Sequence, residues 1–163
     1  MREIIASSGH IFLIDDIDFD VVDRHSWNTN IIKNRTYITR SQRIGSSKQI
    51  IYLARVIAER MDLPIFGRLV DHTDRNTLNN QRYNLRVATY TQNNYNTGLR
   101  SNNRTGYKGV QFDTRTRKFI ATIIYERHKT RLGYFDTPEE AALAYNDAAI
   151  RLFGEFAYLN QIP

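Results

Sequence analysis

Asp71 and His72 stand side by side at the end of a short apolar run, and two asparagines, Asn84 and Asn93, follow at some distance. An aspartate offers a hard oxygen suited to a magnesium-class ion. A histidine offers a base whose ordinary pKa, about 6.5, lies near neutrality. Asn93 can add a neutral oxygen ligand, with Asn94 the adjacent alternative. An amide beside a carboxylate limits the local negative charge, which suits a substrate that is itself an anion. Neighbouring side chains in a regular strand point to opposite faces, so Asp71 and His72 can share a site only at a strand's end. The same residues also suit a purely structural loop, because Asn readily forms Asx-turns and tolerates left-handed backbone.

The elements that must position this group are short. Leu69-Val70 and Leu85-Arg86-Val87-Ala88 read as strands on either side of a long polar loop, and a short helix capped by Thr89 or Thr91 follows. Upstream, Ile11–Ile14 reads as a buried strand stopped by Asp15-Asp16. Residues 37–40 and 49–53 read as further strands separated by a Gly45-Ser46-Ser47 turn, and Trp27 as a core residue. Arg40, Arg43 and Lys48 flank that turn and can meet phosphate or simply be solvated. Residues 97–105, TGLRSNNRT, read as a linker. Strands over 107–112, 119–125 and 129–135 follow. A helix then begins at a Thr137-Pro138-x-Glu140 capping box and ends at Gly154.

The 163 residues include no cysteine, which excludes disulfides and thiolate zinc sites and leaves oxygen and imidazole as metal ligands. No stretch approaches the roughly 18–20 apolar residues of a membrane span, and no signal-peptide core follows Met1, so a cytoplasmic protein is expected. The net charge of +6 is unevenly spread. Residues 100–131 hold nine Lys/Arg against two acids, whereas residues 136–155 hold five acids against one Arg. The first segment can face phosphates; the second cannot. By strand alternation, Lys108, Gln111, Arg117, Phe119, Thr122, Lys129 and Arg131 are expected to share one sheet face, and a β-ribbon fits the DNA major groove.

The full string Asp71-His72-x11-Asn84-Leu85-Arg86-x6-Asn93 resembles the HNH nucleases, specifically the cysteine-free type of phage and intron homing endonucleases. Residues 70–89, VDHTDRNTLNNQRYNLRVAT, follow that family's hairpin nearly end to end. The resemblance implies a ββα-metal core around one divalent cation, Mg2+ or Mn2+. Asp71 and Asn93 would be its ligands and His72 the general base. Asn84 would shape the loop and help orient the imidazole. The upstream segment also resembles the family, except that Leu53-Ala54-Arg55 stands where a Leu-His-Arg signature is expected, leaving Arg55 available for a phosphate.

Residues 106–160 resemble the APETALA-type (ethylene-response-factor) DNA-binding domain. The matching strings are Gly106-Tyr107-Lys108-Gly109-Val110, Leu132-Gly133-Tyr134-Phe135-Asp136-Thr137, Glu139-Glu140-Ala141-Ala142 and Ala144-Tyr145-x-x-Ala148-Ala149. That resemblance implies a three-stranded sheet in the major groove, with Lys108, Gln111, Phe119, Thr122, Ile124, Lys129 and Arg131 at contact positions. Phe119 and Arg131 replace Trp, Thr122 an acid and Ile124 an Arg, so the target sequence does not carry over.

The expected fold is α+β: a nuclease domain over 1–96 (core about 67–96) with a β-rich N-terminal part, a linker over 97–105, and a sheet packed on one helix over 106–163. The expected function is a sequence-directed DNA endonuclease of a mobile element or phage, monomeric and acting on double-stranded DNA. A DNA-binding regulator with a decayed nuclease core is the alternative, and an RNA-directed protein a third reading.

Overall fold

Residues Arg2–Ile5 (β1) and Ile11–Ile14 (β2) pair antiparallel in the computed structural model, which describes all residues from Met1 to Pro163. Phe12 and Ile14 of β2 are fully buried, and the acids at Asp15 and Asp16 end the strand as expected. A 3-10 turn and a short helix, Phe19–Asp23 (α1), lead to a three-stranded antiparallel sheet. Its strands are Asn28–Ile32 (β3), Arg35–Ile44 (β4) and Ser47–Tyr52 (β5), with β4 central. Helix Leu53–Arg60 (α2) buries Leu53, Ala54, Ile57 and Ala58, one face at helical spacing. That spacing claims Leu53 for the helix, where a strand over 49–53 was expected. Strands Leu69–His72 (β6) and Leu85–Ala88 (β7) form a separate hairpin. Phe12, Ile14, Trp27, Ile38, Leu53, Ile57 and Leu85 share one core, so the hairpin's root is set on the N-terminal elements.

The chain divides into two units, Met1–Tyr90 and Thr91–Pro163, and the division falls inside helix Tyr90–Tyr95 (α3), ahead of the segment read as a linker. In the second unit Val110–Asp113 (β8), Lys118–Tyr125 (β9) and His128–Phe135 (β10) make an antiparallel sheet with β9 central. Helix Pro138–Phe153 (α4) has both halves of its capping box: Glu140 N–H donates to Thr137 Oγ1, and the Glu140 carboxylate accepts from Thr137 N–H. Its alanines at 141, 142, 148 and 149 are buried, and small side chains let the helix lie close to the sheet. Gly109 shows how close: a Cβ there would sit 2.1 Å from the Tyr145 ring, on a backbone with φ +77°. The aromatic ring of Tyr95, at the end of α3, stacks on Phe153 with centroids 3.9 Å apart.

Candidate active site and nucleic-acid interface

The β6–β7 ladder is regular to its end, pairing Asp71 with Arg86 and His72 with Leu85. His72 is the last residue of β6, and both Asp71 and His72 are only 5% exposed. A buried carboxylate needs a counter-charge. Arg86, directly across the ladder, supplies it, with Nε 3.0 Å and Nη2 2.8 Å from Asp71 Oδ2. His72 Nε2 lies 3.3 Å from Asn80 Oδ1. With an amide oxygen as acceptor, the neutral ring carries its proton on Nε2 and keeps the Nδ1 lone pair as its basic atom. Burial is the main influence on the ring and holds its pKa below the usual histidine value. The Asn80 hydrogen bond and the negative fields of Asp71 and Asp74 oppose it without reversing the shift. His72 is therefore a neutral base at neutral pH.

Residues 73–84 between the strands have no regular ladder, so side chains must satisfy their backbone groups. The asparagines do this. Asn84, 1% exposed, accepts from Asp74 N–H at 2.9 Å and donates Nδ2 to Asp74 Oδ1 at 2.9 Å and to the Asn79 carbonyl at 2.7 Å. Asn79 Nδ2 returns to Asp74 Oδ2 at 2.8 Å. The loop is also tied to the N-terminal elements: Leu13 N–H donates to Leu78 O, and Asn80 N–H donates to Leu13 O, both at 2.8 Å. Asp15 accepts from the Gln81 amide and from Arg82 N–H. Asp18, completely buried, accepts from the guanidinium groups of Arg82 and Arg60.

Asn84 thus holds the loop through Asp74 and Asn79, while the amide that meets the imidazole is that of Asn80. The family resemblance implies both duties for Asn84, and it assigns none to Asn80, Asp74, Arg86 or Asp18. Arg86 could have been found from hairpin register alone, since a strand starting at Leu85 places it opposite Asp71. Asn93, half-buried, and Asn94, exposed, lie on α3 in the second unit, whereas Asp71 and His72 lie in the first. The donor chemistry fits a hard divalent ion: Asp71 is a buried carboxylate, and no cysteine competes. No group of three or more His, Asp or Glu gathers into a metal cage.

In the second unit, the pairings Gln111↔Ile120, Arg131↔Thr122 and Lys129↔Ile124 put Gln111, Thr122, Ile124, Lys129 and Arg131 on the sheet face away from α4. Phe119 does not join them. It shares the parity of the buried Ala121 and packs toward Ala141 and Ala142, which corrects the expectation of a contact residue. A bulge between Arg131 and Gly133 turns Leu132 into the core and leaves Tyr134 beside Arg131, whose Nη1 donates to Tyr134 Oη at 2.6 Å. Arg117 sits in the β8–β9 turn at φ +56° and is exposed. Lys108 is a second correction. Its ammonium donates to the carbonyls of Tyr95 and Thr97, each at 2.7 Å, so it clamps the end of α3 within the second unit instead of standing ready for phosphate. Arg55 likewise donates to the carbonyls of Ile65 and Arg68 and holds the turn that leads into β6. Arg40 is half-buried, with its guanidinium 5.8 Å from the centre of the Trp27 ring.

Over 93 residues, 57% of its length, the chain is 40% identical to Uncharacterized HNH endonuclease L560 of Acanthamoeba polyphaga mimivirus, and the match covers 47% of that protein. Over 56 residues, 33% of its length, it is 50% identical to Dehydration-responsive element-binding protein 2E of Oryza sativa subsp. japonica, of which 17% is covered. The chain thus spans less than half the length of each of these relatives. No family model and no solved structure matches it. No helix is long and apolar enough to cross a membrane. In partial similarity, then, the chain is like a protein named as an HNH endonuclease and like a plant protein named as element-binding.

Proposed function

We propose that the chain is a sequence-directed, metal-dependent DNA endonuclease with His72 as its general base. The observation that carries the reading is a buried, neutral imidazole fixed by the Asn80 amide at a strand end, next in sequence to a buried carboxylate. His72 Nδ1 takes a proton from water, and the water oxygen attacks phosphorus in line with the 3′ oxygen. The P–O3′ bond breaks, and the departing oxygen takes a proton from solvent. Asp71 would hold a divalent cation, Mg2+ or Mn2+, which would supply Lewis-acid stabilisation of the charge that develops at the phosphate. Asn80 fixes the ring tautomer, Arg86 fixes the Asp71 carboxylate, and Asn84 fixes the loop between them. Duplex DNA is gripped by the basic sheet face of the second unit, where Gln111, Lys129 and Arg131 can reach the major groove. One base per chain predicts a nick by a monomer, and the combination fits a mobile-element nuclease.

A DNA-binding regulator without turnover is the second reading. It is favoured by Ala54, which is buried in the core where the nuclease resemblance expects a histidine. Supercoiled plasmid incubated with Mg2+ separates the two. Wild-type protein is expected to produce open circles. His72→Ala is expected to slow this about 10²–10⁴-fold, the usual worth of a general base, or about 3–5 kcal/mol of barrier. No difference between the two proteins on a DNA that both bind overturns the enzyme reading.

A further inference from the structure

Strand β3 covers β4 only as far as the Asn28↔Thr39 pair. Beyond it, β4 and β5 continue alone through Arg40↔Ile51, Ser41↔Ile50, Gln42↔Gln49, Arg43↔Lys48 and Ile44↔Ser47. The two-residue turn Gly45-Ser46, with Gly45 at φ +59°, closes the ribbon. Every residue from 41 to 50 is exposed, so both faces of the ribbon stand in solvent. A two-stranded ribbon without a third strand or a core beneath it is marginal by itself. Its composition makes it worse. Arg43 and Lys48 face each other directly across the ladder, at the short cross-strand Cβ separation of about 4.5–5.5 Å where like charges destabilise. Neither has an acidic partner. One charge would suffice to keep an edge from aggregating; two opposed cations call for an anion between or beside them.

The opposite face carries Gln42 against Gln49, two amides with no partner in the chain. At the root of that same face, Arg40 Nε and the neighbouring Trp27 Nε1 are buried donors without acceptors. A polyanion that also offers hydrogen-bonding edges meets the needs of the opposed cations and of the two exposed amides, and the DNA major groove is wide enough to admit a two-stranded β-ribbon. We propose that the β4–β5 ribbon is a second DNA-reading arm, in the first unit. Arg43 and Lys48 bind phosphates, and Gln42 and Gln49 address base edges in the major groove. The proposal rests on DNA being the substrate, and it adds a contact surface that neither sequence resemblance assigns.

The test uses full-length protein and a labelled 30-base-pair DNA duplex of mixed sequence, with affinity read by anisotropy between 50 and 300 mM salt. Losing two phosphate contacts should lower the slope of log affinity against log salt by about 1.8, at about 0.9 per phosphate. Arg43→Ala/Lys48→Ala should show that fall. Arg24→Ala/Arg151→Ala, which removes two exposed charges elsewhere, should not. Lys48→Glu should weaken binding and raise the melting temperature together, because it replaces repulsion across the ladder by attraction. An A-form RNA duplex, whose major groove is too deep and narrow to be read, should compete poorly. An unchanged slope, an equal fall in the control, or equal competition by the RNA overturns the arm while leaving DNA cleavage standing. Failure of wild-type protein to bind the DNA at all removes the nuclease reading and the arm with it.

Discussion

Asn84→Ala is the sharpest probe of how the loop is held. The substitution deletes three side-chain hydrogen bonds: one accepted from Asp74 N–H, one donated to the Asp74 carboxylate and one donated to the Asn79 carbonyl. A neutral hydrogen bond contributes about 1 kcal/mol net and one to a charged group about 1.5–3 kcal/mol. Asp74 is exposed, so water replaces part of what its groups lose, whereas the bond to the Asn79 carbonyl lies in buried surroundings, where a stranded acceptor costs about 1–3 kcal/mol. Together these give a destabilisation of about 2–4 kcal/mol. Trp27 is the sole tryptophan and is buried in the first unit, so its fluorescence during urea unfolding reports on that unit alone. With a urea dependence of about 2 kcal/mol/M, the midpoint should fall by about 1–2 M. Asn84→Asp supplies a control. It keeps the acceptor for Asp74 N–H but turns an oxygen toward the Asp74 carboxylate and the Asn79 carbonyl. It should be at least as unstable as the alanine variant at pH 7 and recover part of the loss near pH 4. A cost under about 1 kcal/mol for Asn84→Ala, or no recovery of the aspartate variant in acid, refutes the account of the loop.

Asp18→Asn removes the charge between Arg60 and Arg82 from a site with no exposure. Because both arginines reach solvent, the cost should be about 2–3 kcal/mol, below the range for an isolated buried pair, again read from Trp27. For His72 the pH dependence follows from its direction of shift. Its folded pKa lies below the unfolded value of about 6.5, so the unfolded chain binds the proton more readily. The stability held above pH 6.5 is therefore lost as pH falls toward the folded pKa. His72→Gln lacks that loss, and the gap in unfolding free energy between the two proteins should change in the variant's favour from pH 7 to pH 5. A constant gap would contradict the buried neutral ring. Lys108→Met removes two charge-assisted hydrogen bonds to the carbonyls that end α3. It should lower the thermal stability of the second unit by about 2–4 kcal/mol and leave the salt slope of DNA binding unchanged; a flatter slope would restore Lys108 as a phosphate contact.

The elements with a strong local signal were legible in the sequence. The capping box at Thr137 and Glu140, the strands on either side of the polar loop and the buried run at Ile11–Ile14 all depend on residues a few positions apart. Helix α2 was missed because Leu53 ends one apolar run and begins another, and only burial decides between strand and helix there. Phe119 was misplaced on the contact face although its parity with Ala121 was already in the sequence. Lys108 was a different matter. A lysine in a basic segment has the composition of a phosphate ligand, and nothing local shows that two carbonyls eleven and thirteen residues earlier claim its ammonium. The partners of His72 and Asn84 were partly hidden for the same reason: several asparagines stand within reach in the sequence, and only the folded loop distinguishes Asn80 from Asn84.

The positions of Asp15 and Asp18 give the segment that follows the N-terminal hairpin a part in holding His72 that its distance in sequence conceals. A loop of polar residues cannot hold a base in place by apolar packing, and a partly satisfied polar network is weaker than either a full one or none. Residues 73–84 escape that weakness because their middle and their C-terminal part are fixed from outside. Leu13 takes both backbone groups at Leu78 and Asn80, and Asp15 and Asp18 take Gln81 and Arg82. Asn80 is thus fixed through its backbone by Leu13 and presents its amide oxygen to His72. Displacing β2 would therefore move the group that sets the tautomer of the base. A change at Asp18, which touches neither His72 nor any substrate, should lower the rate of cleavage through the position of Asn80. The Asp18→Asn protein, assayed well below its melting temperature, would show a reduced turnover with DNA affinity retained, whereas a turnover equal to wild type would mean that the loop keeps its shape without the acids that follow the hairpin.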